Sequence, residues 1–311
     1  MRVFVAGGGG ALGLPAVAAL TKAGHEVTAT TRSRSSKAWL EQQRARVVTP
    51  DVFDRSGLEQ ALKAAQPEVV VDLLTNLPKG GPRKAKDLEA TNRVRTVGSR
   101  NLLEAAIAAG AHRLVAESFF SIYGTGDLGA APLTEDAPVP VQPPDRQAAA
   151  SVQAMLSKET GILEAARAGR IEGIVLRFGG FYGPGTGSDA LIGELRRRKL
   201  PVVNGALGLT PWIYIEDAAA AVVAAVERGK PGAVYNVVED EPMSLAEFLR
   251  CLASSAGAPA PSSVPAFVFG LSAPYVKLLL VDSRIVLSNQ KARAELGWAP
   301  SNRSPREALA R

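Results

Sequence analysis

The sequence predicts an α/β fold, a doubly wound parallel sheet with a smaller C-terminal region. Three observations carry this. Short apolar runs alternate with helical patterns through the N-terminal half. Several of those runs are continuous, as in strands buried on both faces. The connections are short, which implies parallel strands joined by right-handed crossovers.

The elements follow in order. RVFVA (2–6) reads as a strand, and ALGLPAVAALTKAG (11–24) as a helix closed by Gly24. EVTAT (26–30) is a second strand and VVT (47–49) a short third. LEQALKAAQ (58–66) is helical, and EVVVDLL (68–74) is a buried strand. A long helix runs from about 86 to 110, before the strand RLVAE (113–117). A helix over about 147–168 leads to the strand GIVLRF (173–178). The rhythm then changes. GGFYGPGTG (179–187) reads as a Gly/Pro loop, WIYIEDAAAAVVAAVERG (212–229) as strand then helix, and AVYNVV (233–238) as one more strand. Helices, prolines and loops fill the rest. The division is a sheet domain over 1–177, completed by 210–238, with 178–209 and 239–311 as the second region.

Composition narrows the function. With 46% hydrophobic and 21% charged residues, the chain is an ordinary globular one. The net charge of +6 is modest, and the one dense basic run, RRRK (196–199), has no aromatics interleaved. It reads as a solvated helix end, so no nucleic-acid partner is expected. A single cysteine, Cys251, rules out an internal disulfide and a multi-cysteine zinc site. His25 and His112 are too few for a histidine metal site, and they supply a Ser-His-Asp triad poorly; no metal is expected. The longest apolar tract, 264–281, is broken by Pro265, Pro274 and Lys277, so no membrane span is expected. The sequence opens on a strand without a basic-then-apolar leader, which fits a cytoplasmic protein.

Directly after the first strand, Gly7, Gly10 and Gly13 stand at G-x-x-G-x-x-G spacing. The first permits a sharp turn, the second lets backbone approach a pyrophosphate, and the third allows close helix–strand packing. The helix start behind them offers N–H groups and a positive dipole end. A strand before and a helix after make this more specific than glycines alone. The second strand runs into TATTRSR (28–34). An acidic residue there would suit a free ribose 2′-hydroxyl; Thr31, Arg32 and Ser33 suit a 2′-phosphate. NADP(H) is therefore favoured over NAD(H), against the plainer reading of a solvated loop with two arginines.

Taken together, VFVAGGGGALG, the Asp51-Val52 pair, VVVDLLT, TNRVRTVGSRNLLEAA, the strand into IYG, VLRFGGFYGPGTG, WIYIEDAAAA, AVYNVVEDEPMSLAEF and KARAELGWAP resemble an extended short-chain dehydrogenase/reductase of the epimerase/dehydratase branch. The likeness covers nearly the whole chain. It implies a Rossmann sheet with a C-terminal substrate-binding region. It also implies that Gly7, Gly10, Ala11, Leu12 and Gly13 hold the pyrophosphate and that Arg32 touches the adenosine phosphate. Asp51 and Val52 would flank the adenine, Leu74 and Thr75 the cofactor ribose, and Asn92 would lie near the sheet end. A loop with Tyr182 would run between nicotinamide and substrate. Taken alone, Asp51 reads equally well as a turn cap and Asn92 as a capping side chain. A homodimer through the helices around 86–110 and Lys158 is what the resemblance admits.

The pattern also breaks. The family carries a Tyr and a Lys four residues apart on one helical face, with a Ser or Thr after the preceding strand. Lys158 matches the lysine, though it also reads as a solvated helix residue. Ala154 stands where the tyrosine belongs, and no tyrosine occurs between Tyr123 and Tyr182. In ESFFSIYG (117–124) the hydroxyl position falls on Phe119, flanked by Ser118 and Ser121. The serines read equally as backbone-bonded loop residues. Thr210-Pro211 replaces the arginine with which sugar-nucleotide members often grip a diphosphate. The remaining proton donors, in order, are Tyr123, Ser118 and Lys158, with Tyr182 in reserve; Phe119, Tyr182 and Trp212 are the candidate substrate contacts. The reading is an NADP(H)-dependent oxidoreductase or epimerase-like enzyme on a small carbonyl or hydroxyl compound. The alternatives are a non-redox isomerase or cyclase, and a non-catalytic NADP(H) sensor.

Overall fold

A computed structural model describes residues 1–311 apart from 79, 144, 204, 205, 207 and 311. Its elements run β1 (Arg2–Ala6), α1 (Gly13–Lys22), β2 (Glu26–Thr30), α2 (Arg34–Gln42), β3 (Arg46–Val48), α3 (Arg55–Ala65) and β4 (Val69–Asp72). A helical rod follows, made of α4 (Glu89–Arg93), a π-helical turn (Val94–Gly98) and α5 (Ser99–Ala108). Then come β5 (Arg113–Phe119), α6 (Arg146–Arg167), β6 (Glu172–Phe178), β7 (Gly180–Tyr182), α7 (Gly187–Arg196), β8 (Trp212–Tyr214), α8 (Ile215–Arg228) and β9 (Val234–Val237). The C-terminal part holds α9 (Leu245–Ser255), α10 (Ala266–Ser272), α11 (Pro274–Val276), α12 (Gln290–Leu296) and α13 (Pro305–Leu309).

Seven strands form one parallel sheet in the order β3-β2-β1-β4-β5-β6-β9. This is the Rossmann arrangement, and the order reverses between β1 and β4. Strand alternation splits the core in two. Val3, Val5, Val27, Val71 and Val115 face α1 and α8, while Phe4, Ala6, Val70, Leu114 and Val175 face α3, α5 and α6. Burying each Val, Leu or Phe among them is worth about 1.5–3 kcal/mol, which is why the central strands are apolar on both faces along most of their length.

Three departures from the sequence reading concern the site. Residues 34–42, given no element in the sequence reading, form α2; only Leu40 of that helix is buried, so its pattern is faint. Part of GGFYGPGTG is strand: β7 pairs in parallel with β8, Gly180 opposite Trp212. A Cβ on Gly179 would come within 2.6 Å of the Pro211 carbonyl, and one on Gly180 within 2.9 Å of the Trp212 ring. The glycines here allow close strand packing rather than a loose loop. The helix expected over 86–110 carries the π turn, which a 3.6-residue pattern does not reveal.

The C-terminal part covers the sheet end with its own apolar clusters. Trp212, Phe248, Leu249 and Phe269 form one; Phe120, Tyr123, Met155, Tyr275 and Leu279 form another. Phe267, Val268 and Leu271 of α10 stay exposed. No helix among the described residues is long and apolar enough to cross a membrane.

Candidate active site

The loops after β1 and β4 meet at the strand-order reversal. Gly7 has φ +85°, and a Cβ on it would lie 2.5 Å from the Leu73 carbonyl oxygen. A Cβ on Gly13 would lie 2.1 Å from the Gly7 carbonyl oxygen. Neither position tolerates a side chain. Gly10 is different: it is exposed, and a Cβ there would meet only Gly7 O, at 3.3 Å. Its glycine leaves room outside the loop. The Gly7 N–H donates to Thr30 Oγ1 at 2.9 Å, which pins the loop to the end of β2. No side chain caps α1, and its first turn holds no acid. Exposed Ala11 and buried Leu12 stand at the helix mouth. A tight cradle ending on uncapped N–H groups fits the pyrophosphate of a dinucleotide.

Arg32 and Arg34 are exposed beside the start of α2. Ser33 Oγ caps that helix by accepting from the Ser36 N–H, and Ser36 Oγ donates to the Gly9 carbonyl. Asp51 is exposed, and its Oδ1 accepts from the Phe53 N–H. The turn-cap reading therefore describes one of its two oxygens. Val52 is half-buried, with its carbonyl accepting from Asn101. Leu74 is buried and Thr75 exposed at the mouth of the crevice. Asn92 is half-buried, and its Oδ1 has no partner among the described residues.

Behind this crevice lies a row of buried charge. Asp72 ends β4, and Glu117 stands near the end of β5. Lys158 reaches both from α6, with Nζ 3.2 Å from Asp72 Oδ2 and 3.6 Å from Glu117 Oε2. Its side chain is 2% exposed, so it is not a solvated helix lysine. Arg95, in the π turn, adds a 3.5 Å contact to Glu117. Next along the sheet, Arg177 grips Glu159 with Nε and Nη2 at 2.7–3.2 Å and donates Nη1 to Tyr123 Oη at 2.9 Å. Burial works against the Arg177 charge, but Glu159 outweighs it and raises the guanidinium pKa.

The proton-handling positions are apolar. Phe119 is half-buried against Phe120 and Phe181, with ring centroids 4.5 and 6.3 Å away. Ala154 is buried on α6. The phenols of Tyr123 and Tyr182 are each hydrogen-bonded within the protein. Tyr123 donates to Asn236 at 2.8 Å and lies under the Arg177 guanidinium; burial raises its pKa against the pull of Arg177. Tyr182 is fully buried and donates to Glu239 at 2.5 Å, with its pKa raised by burial and by that carboxylate. Trp212 stacks on Phe248 at 4.1 Å and donates Nε1 to the Met243 carbonyl, so it belongs to the C-terminal core rather than to a substrate face. Ser118 Oγ is buried without a partner among the described residues.

The family model described as "NAD dependent epimerase/dehydratase family" matches residues 3–238. The chain belongs to that family. Within it, the chain is 38% identical, over the full length of both proteins, to a 3-diazoavenalumate denitrifying reductase from a Streptomyces species. It is 26% identical to a 4-hydroxy-2-methyl-3-oxo-4-farnesyl-3,4-dihydroquinoline-1-oxide ketoreductase from Stigmatella aurantiaca, covering 96% of this chain and 92% of that one. The structure of Thermus thermophilus UDP-glucose 4-epimerase, in complex with NAD, superposes with a TM-score of 0.78 at 25% identity, covering 100% of this chain and 98% of that one. The protein is thus an NAD(P)-dependent enzyme of the epimerase/dehydratase type, with a reductase among its relatives.

In this family member, sequence reasoning missed the buried ions around Lys158. A signal existed for three of them: Asp72, Glu117 and Arg177 each interrupt a continuous apolar strand near its C-terminal end. Glu239 was missed as well. Burial, aided by the Asp217 charge and opposed by the Tyr182 hydrogen bond, pushes its carboxyl up to about 8 from an ordinary 4.5. The folded state then holds a proton that the unfolded chain releases, so stability falls as pH rises between those values, by at most about 1.4 kcal/mol per pH unit. Denaturant midpoints measured from about pH 5 to about pH 8 should show this slope, and Glu239→Gln should flatten it.

Proposed function

We propose that the enzyme is an NADP(H)-dependent reductase of a small aryl acceptor that takes hydride without a proton from the protein, an aryl diazo compound fitting best. The observation that carries this reading is the apolar replacement of both proton-handling positions, Phe119 and Ala154, beside a retained Lys158. A ketone gains a proton along with hydride, and its reduction calls for a donor in reach. The hydride equivalent that bound NADPH supplies, added to an aryl diazonium, breaks the C–N bond and releases dinitrogen (Ar–N2+ + H− → Ar–H + N2), with no proton taken up. The Streptomyces relative, whose name specifies a diazo compound and its denitrifying reduction, supports the same class.

Each part of the site then has a task. Gly7, Gly10 and Gly13 with the start of α1 hold the pyrophosphate, and Thr75 and Lys158 hold the cofactor ribose. The half-buried rings of Phe119 and Phe181, backed by the buried Phe120, form an aromatic wall that keeps water from the acceptor. Residues 178–209 and 239–311 make the substrate side. The test uses an ortho-hydroxybenzenediazonium salt with NADPH deuterated at the transferred position. Dinitrogen release should match NADPH oxidation, with deuterium in the arene ring. A ring hydrogen drawn from solvent, or a ketone reduced while the diazonium salt stays intact, would overturn the reading.

The preference for the phosphorylated cofactor rests on Arg32 and on the hydroxyls at the start of α2. A charge-assisted contact to the 2′-phosphate should be lost in Arg32→Ala, which is expected to weaken NADPH binding about tenfold or more and to leave NADH unchanged. Fluorescence titration of both cofactors checks this; equal affinities in the unmodified protein would refute it.

A further inference from the structure

Four buried donor groups, those of Arg95, Ser121, Ser151 and Tyr275, have no role in the site as built so far. Arg95 is 5% exposed, and its Nε has no acceptor among the described residues. The long contact to Glu117 is the one hydrogen bond its side chain makes there. Tyr275, on α11, is also 5% exposed. It packs in one buried cluster with Phe120, Ile122 and Val152, which adjoin Ser121 and Ser151 in the chain, and the Arg95 charge opposes the rise that burial gives its pKa. Its N–H donates to the Arg83 carbonyl, which ties this C-terminal segment to the loop after β4.

The places of the serines matter. Ser121 lies two residues beyond Phe119, and Ser151 lies one helical turn before Ala154 on the face of α6 that carries Lys158. The hydroxyls lost from the usual positions are thus replaced close by, with a phenol brought in from another part of the chain. A guanidinium has donors and no acceptor. Buried with one weak partner, it lacks an oxygen.

We propose that Arg95, Ser121, Ser151 and Tyr275 form an oxyanion site that takes a phenolate or quinoid oxygen on the substrate ring, next to the carbon that accepts hydride. The Phe119 wall makes the ligand an aromatic one. This deepens the diazo reading and rests on it for the acceptor. Donors aimed at the oxygen of an ortho-diazo ketone draw electron density from the ring, which favours the diazonium form that accepts hydride. No proton changes hands at the Tyr275 phenol.

The probe is 4-nitrophenol, titrated by absorbance into the NADP+-loaded protein. It can neither accept hydride nor release dinitrogen, so its binding tests the oxygen site apart from the acceptor chemistry. The unmodified protein should bind it as the phenolate and lower its apparent pKa. Tyr275→Phe and Ser151→Ala should each weaken phenolate binding about tenfold and raise the bound pKa, with NADP+ affinity unchanged. Arg95→Lys should weaken it further, because the planar fork is lost. If Tyr275→Phe fails to fold, Ser151→Ala carries the test. The proposal fails if the unmodified protein binds no nitrophenolate, or if Ser151→Ala binds it like the unmodified protein.

Discussion

Arg177→Met is expected to cost about 3–5 kcal/mol of folding stability. The arginine is the hub of a buried group: it holds Glu159 through two nitrogens, donates to Tyr123, and lies 4.9 Å over the Tyr123 ring centroid. Methionine fills much of the volume and restores none of the charge. Glu159, 2% exposed, is then left as an uncompensated carboxylate inside the protein. Replacing both members by apolar residues should recover much of the loss, because the penalty lies in the orphaned charge rather than in the missing pair. Urea unfolding of the two single variants and the double variant gives the cycle. A loss below about 1 kcal/mol for Arg177→Met would mean that Glu159 finds water or another cation.

Lys158→Met should do comparable damage and abolish turnover as well. Its ammonium is the near cation for Asp72 and also faces Glu117, and both carboxylates are buried. Removing it leaves two acids on adjacent strands with Arg95 alone beside them, at a cost of about 3–5 kcal/mol. Turnover should fall further than stability predicts, because the same group is assigned to the cofactor ribose. Lys158→Arg separates the two effects. It keeps the charge but not the compact head, so stability should partly recover while cofactor affinity stays low. Thermal unfolding with and without NADP+ reads both quantities, since a ligand bound by the native state raises the midpoint.

The sheet was legible because its evidence is local. Continuous apolar strands, short crossovers and a glycine turn between strand and helix leave little choice of topology, and β1 through β6 fall close to where the pattern puts them. The cofactor end was legible for the same reason: Gly7 and Gly13 must be glycine for steric reasons that act over a few residues. The substrate end was not. Nothing near Tyr275 in the sequence says that it packs against Phe120 and Val152, each more than a hundred residues away. Tyr182 reads as contact surface from its glycine-rich loop and Trp212 from the aromatics of the C-terminal half; pairing of β7 with β8 buries both. Arg93 and Arg95 are indistinguishable as letters in TNRVRTV, yet Arg93 is exposed over Phe53 and Arg95 is buried.

That last difference has a cause in the rod between β4 and β5. A π turn is an α-helix carrying one residue more than its hydrogen-bond ladder needs. Each α-helical residue turns the chain by about 100°, so the phase of everything before the turn, relative to everything after it, depends on that one residue. Length, not only side-chain identity, is therefore inherited information at residues 94–98. Loss of a single codon there would close the rod into regular α-helix with every side chain of 99–108 left in place. The Arg95 guanidinium would then swing away from Glu117. A substitution scan reads which side chains these five positions need; only a deletion scan reads that there must be five of them.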